Sequence, residues 1–247
     1  MLESQSYDTQ FVNLEGLLPD EVRIGLEYRV LELVVTAYKK MYGEVCYNAD
    51  WKENTFSAVF TDFLKKHRRN FSRETCRNWH IAREVYNDDE LISSGQADPD
   101  KASRIDIVIF TWEVYEEIRF PFECKLVDEN NSTLIRLYIK KGLVDRYLTE
   151  KDYSTGSSWG GMIGYVRHGG HDAIVVKLNQ QINRQINRTT EHLKIYQPIA
   201  GFEAIYKSQH QRREQTDFLT ITHLFLTFRP HTEEAIENIS ADMPMTE

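Results

Sequence analysis

At 247 residues, with 41% hydrophobic and 28% charged side chains, the chain is long enough to bury a sizeable core and has the composition of a globular protein, most simply one domain. A formal net charge of −8 argues against a surface that grips nucleic acid everywhere, because phosphate binding needs clustered Lys and Arg. No run of about 18 apolar residues occurs, and the first residues lack the basic and apolar regions of a signal peptide, so the expected location is the cytoplasm, with no membrane partner. Cys46, Cys76 and Cys124 are scattered without C-x-x-C spacing, which argues against both a disulfide framework and a zinc knuckle.

Residues 1–18 show no hydrophobic period and read as an arm. Residues 19–41 read as a helix, with a proline near its first turn and an apolar stripe of Val30, Leu31, Val34, Val35 and Tyr38. A second helix is expected from Asp50, where Phe56, Val59, Phe60, Phe63 and Leu64 follow the i, i+3, i+4, i+7, i+8 spacing of a core-facing helix. Glu53 has two readings there. It closes a capping box with Asp50 and satisfies the helix start, or it serves a site as an additional acid. Lys65, Lys66, Arg68, Arg69, Arg73 and Arg77 make the densest basic segment of the chain. That segment is either a solvated helix end favoured by the macrodipole or a rim that contacts phosphates.

Trp79, Ile81 and Val85 at alternate positions favour a strand over residues 79–86, and residues 88–101 read as polar loop. Residues 104–110 form an apolar strand interrupted only by Asp106, and an acid among Ile and Val needs a reason, of which metal binding is one. Over residues 118–127 successive side chains alternate faces. Ile118, Phe120, Phe122, Cys124 and Leu126 therefore share an apolar side, and Glu123 and Lys125 emerge together on the other. The bland alternative is a salt bridge on an exposed sheet face, worth at most about 1 kcal/mol.

After a turn at 128–131, a helix is expected over 133–149, with Gly142 a weak point inside it. A Ser- and Gly-rich linker at 153–158 leads to a buried strand over 160–166, whose glycines suggest close packing of a helix; the Lys-Ser/Thr ending of a phosphate-binding loop is missing. Residues 171–197 read as a long polar helix, and 217–228 as a late strand that closes the sheet and carries His223, more simply a satisfied sheet residue than a ligand. Residues 231–247 read as a mobile acidic tail. Helices, three strands, then helix, strand, helix and strand fit an α/β sandwich around a mixed sheet.

A strand bearing Asp106, a hairpin-length gap and the Glu123-Cys124-Lys125 strand, with helices before and after, resemble the PD-(D/E)xK nuclease superfamily and its restriction-endonuclease-like fold. The resemblance covers about residues 50–166. The literal Pro-Asp pair is Pro99-Asp100, but Asp100 sits in a polar run that reads as a turn, so Asp106 is preferred. The resemblance implies a Mg²⁺-dependent (or Mn²⁺-dependent) endodeoxyribonuclease with Asp106, Glu123 and Lys125 as catalytic residues. The ion would be held by Asp106, Glu123, the carbonyl of Cys124 and, on its second reading, Glu53. Lys125 would orient or help deprotonate the attacking water and offset charge in the transition state. DNA would lie against Lys65, Lys66, Arg68, Arg69, Arg73 and Arg77. Such nucleases resemble parts of prokaryotic antiviral-defence or repair systems, and one dense basic segment against so acidic a chain implies action through a partner subunit or a homo-oligomer. The competing class is a catalytically inactive subunit on the same scaffold, an interaction module for nucleic acid or protein; the acidic charge and the lack of a DNA-reading motif favour it.

Overall fold

The computed structural model describes residues 20–69, 79–86, 104–113, 116–149, 158–212 and 218–229. The expected arm at 1–18, Arg73, Arg77, the loop at 88–101 and the tail at 231–247 lie outside the described residues. Helices α1 (Asp20–Gly43) and α2 (Glu53–Arg68) precede strands β1 (His80–Tyr86), β2 (Arg104–Glu113) and β3 (Glu116–Val127). Helix α3 starts as an α-helix over Ser132–Leu137 and winds on as a π-helix over Tyr138–Leu148. Strand β4 (Trp159–Val166), helix α4 (His171–Gln185) and strands β5 (Thr189–Ile195), β6 (Ile205–Gln211) and β7 (Phe218–Thr227) follow.

The strands form one sheet in the order β1-β2-β3-β4-β7-β6-β5, with β3, β4 and β7 parallel and the other neighbours antiparallel. The fold is therefore α/β, a mixed central sheet flanked by helices. Strand β4 is buried at every position because helices cover both its faces, as a central parallel strand requires. On one face α1 and α2 pack through Phe56, stacked on Tyr165 at 5.0 Å, and Tyr38, whose hydroxyl donates to the Thr227 carbonyl at 2.9 Å. On the other face lie α3 and α4. A β-carbon on Gly160 would stand 2.4 Å from the Tyr147 ring, so the expected close packing of a helix on this strand holds at that position. Among the described residues no helix is long and apolar enough to cross a membrane.

Two expectations for the C-terminal half are corrected. The helix expected over 171–197 stops at Gln185, because its apolar stripe of Ile174, Val175, Leu178 and Ile182 ends there and Ile186 takes an extended conformation. The β-branched Thr189 and Thr190 then open β5. Strand β7 does not close the sheet but lies inside it between β4 and β6, and β5 forms that edge. Its consecutive buried run from Ile221 to Leu226 reflects cover on both faces.

His223 is a satisfied sheet residue, held in a chain of neutral groups. The Tyr138 hydroxyl and His223 Nδ1 share a hydrogen bond at 3.0 Å, and His223 Nε2 and Ser208 Oγ share one at 2.8 Å. Ser208 Oγ is also bonded to His210 Nε2 at 2.8 Å, and His210 Nδ1 to Thr189 Oγ1 at 3.0 Å. A neutral imidazole donates through one nitrogen and accepts through the other, so the hydrogen bonds of the relay all run in one direction. Burial lowers the pKa of both histidines, that of His210 to about 4.

Candidate active site at the splayed end of the sheet

The ladder between β2 and β3 runs from Glu113–Glu116 to Ile107–Phe122 and stops there, whereas β3 stays paired with β4 on its other edge through Val127. Beyond the last β2 pair, the backbone groups of β3 need new partners, because buried N–H and C=O groups are costly to leave unpaired. Cys124 N–H donates to Asp106 Oδ2 at 2.8 Å, and Leu126 N–H donates to Glu53 Oε2 at 3.2 Å. Two carboxylates, one from β2 and one from the first turn of α2, thus replace the carbonyls of a continued strand. The Cys124 carbonyl is also released from the ladder and accepts from Lys125 Nζ at 2.8 Å.

The Lys125 ammonium is the hub of the cluster. Its Nζ lies 2.6 Å from Glu123 Oε1, 2.9 Å from Glu53 Oε1 and 3.9 Å from Asp106 Oδ2. Arg146 adds a second cation, its Nε 3.6 Å from Glu123 Oε1. The Glu123 side chain is 1% exposed and that of Lys125 14% exposed, so the alternative of a salt bridge on an open sheet face is overturned. The reason is α3, which covers this face. Its Gly142 comes so close that an added β-carbon would lie 3.4 Å from Lys125 Cγ and 2.5 Å from Met162 Cε.

The electrostatics follow from burial and charge together. Burial raises the Asp106 carboxyl, and the nearby Lys125 and the Cys124 N–H only partly oppose that rise. Burial would lower the Lys125 ammonium, but Glu123, Glu53 and Asp106 outweigh it and hold the amine charged well above its usual range. The Cys124 thiol points into the core beneath α2, where burial pushes its pKa well up. Its backbone N–H and carbonyl, not its thiol, face the cluster.

Asp106, Glu123, Cys124 and Lys125 are therefore brought together, and Glu53 joins them. The capping-box reading of Glu53 is overturned, since the N-cap of α2 is Lys52 and makes no side-chain cap bond. A phosphate rim beside the site is also corrected. Lys65, Lys66, Arg68 and Arg69 stand at the opposite end of the 16-residue α2 from Glu53, about 18–24 Å away at 1.5 Å per residue. There Lys66 pairs with Glu44 at 3.5 Å and Arg68 donates to the Trp79 carbonyl. Arg146 went unnoticed in the sequence, although Gly142, one turn before it, marked the place where α3 meets the sheet.

Among the described residues no three His, Cys, Asp or Glu side chains are gathered to hold a metal ion as they stand. The acids converge instead on an ammonium. The donor set still suits a hard divalent ion, because all its members are carboxylate or carbonyl oxygens directed at one cation. No family model, curated protein or solved structure matches the chain.

Proposed function

We propose that this chain is a metal-dependent nuclease that hydrolyses phosphodiester bonds in DNA, on the PD-(D/E)xK plan. The observation that carries the reading is the convergence of Glu53, Asp106, Glu123 and the Cys124 carbonyl on one point where β2 and β3 part. The order around that point supports it: a helix, three antiparallel strands, a helix and a parallel strand.

Those four groups would hold Mg²⁺ or Mn²⁺, which when bound supplies a more acidic water and neutralises charge on the reacting phosphate. Asp106 is oriented by the Cys124 N–H, and Glu123 by burial under α3. Lys125 would orient or help deprotonate the attacking water and offset the charge growing on phosphorus.

The distance of the basic segment from the site supports action beside a partner subunit or a second copy. It equally supports the second reading, an inactive interaction subunit. The deciding experiment incubates purified protein with Mg²⁺ or Mn²⁺ and supercoiled, duplex and single-stranded DNA or RNA. Metal-dependent cutting that disappears in Asp106→Asn and Glu123→Gln supports the nuclease. A wild type that cuts none of these substrates leaves the inactive subunit. A cytoplasmic role in prokaryotic defence or repair is part of the proposal, and neighbouring genes test it.

A further inference from the structure

Three oxygens lie within hydrogen-bonding distance of Lys125 Nζ: Glu123 Oε1, the Cys124 carbonyl and Glu53 Oε1, at 2.6, 2.8 and 2.9 Å. These are oxygens the proposed metal ion would take. A divalent ion bonds such oxygens at about 2.0–2.6 Å, so ion and ammonium cannot occupy the same space. We infer that Lys125 is a built-in competitor for the divalent ion, released from the carboxylates as the ion binds and then available to a phosphate of the nucleic acid. The inference rests on the nuclease reading of this site.

The geometry allows the exchange. Lysine carries its charge on a flexible four-carbon stem. That stem passes Gly142, which has no β-carbon to hem it in, and the side chain keeps 14% of its surface open to solvent. Charge drives the same change. Three carboxylates face Lys125 and Arg146, so the closed site is close to balanced, and an incoming divalent ion leaves a cation in surplus. A DNA phosphate is the anion that would receive it. Ion and nucleic acid would thus strengthen each other's binding by the same factor, as linkage demands. Without DNA the ion would have to displace Lys125 unaided, so metal would load only weakly and the nuclease would be largely idle.

Calorimetric Mg²⁺ titration of the wild type and Lys125→Met, both without DNA, tests the competition. The variant should bind Mg²⁺ at least tenfold more tightly. Equal or weaker binding by a folded Lys125→Met overturns the competition and leaves the metal site standing. Absence of Mg²⁺ and Mn²⁺ binding in both proteins overturns the metal reading and the competition with it. Should Lys125→Met not fold, the wild type decides alone, through acetylation of the Lys125 amine followed by mass spectrometry. Saturating Mg²⁺ should raise that rate at least fivefold, and an unchanged rate overturns the inference.

Discussion

Two polar clusters lie on the same sheet face, one against α3 and the other running from Tyr138 of α3 across β7 and β6 to β5, and they are built on opposite terms. At the splayed end of β2 and β3, three carboxylates crowd two cations. Across the sheet, Tyr138, His223, Ser208, His210 and Thr189 form a neutral relay of four hydrogen bonds. The neutral relay is what a fold needs to bury polar atoms at low cost. The charged cluster gains the fold little that apolar side chains would not supply, since desolvating ions consumes most of their attraction. Polar burial without charge therefore suits architecture here, and the gathered charge is what singles out the candidate site for the proposed chemistry.

The comparison can be broken by experiment. The largest effect is expected at the charged cluster. Glu123→Gln or Asp106→Asn should lower metal-dependent cleavage by at least about a hundredfold while far-ultraviolet circular dichroism stays unchanged. If either variant cleaves like the wild type, the charged cluster is not the catalytic centre.

The relay should respond to pH and not to metal. His210 has a lower pKa folded, about 4, than unfolded, about 6.5, so the unfolded chain binds the extra proton between those values. Its contribution is complete above pH 6.5 and is lost as pH falls toward 4, on the order of 3 kcal/mol at most. Urea unfolding at pH 7, 5.5 and 4.5 measures the slope, and His210→Gln should flatten it. Ser208→Ala strands the facing nitrogens of both histidines and should cost about 1–3 kcal/mol. Thermal unfolding reads that loss, while cleavage at a permissive temperature should be unchanged. Loss of cleavage in folded Ser208→Ala would mean that the relay serves the chemistry after all.

The smallest effect is expected far from both clusters. Replacing Lys65, Lys66 and Arg69 by Ala should weaken duplex binding severalfold and flatten its salt dependence, with the cleavage rate of bound DNA preserved. Unchanged binding would remove this helix end from the interface.

Much of the charged cluster was legible because strand alternation is a strict rule. It placed Glu123 and Lys125 together, and Asp106 stood out as an acid among Ile105, Ile107 and Val108. Glu53 was only half legible, since the same residue in a first turn suits a cap or a distant partner. Arg146 was hidden because the winding of α3 decides which of its residues meet β3. The neutral relay was hidden for another reason. Strand β6, Ile205–Gln211, buries Ser208 and His210, so its inward face is polar and gives no hydrophobic alternation. Strand β5 was mistaken for helix because it sits at an edge with most side chains exposed and bulges in its pairing.

Helix α2 joins the candidate centre to the basic end of the same rod, and its length then acts as a ruler. About 18–24 Å corresponds to five to seven nucleotides at roughly 3.4 Å per step along one strand. With Glu53 at the cut and Lys65, Lys66 and Arg69 on the same backbone, chemical footprinting would display two protected patches separated by that interval. A cut site would then be positioned by counting phosphates from an anchor, with no base identity read between them.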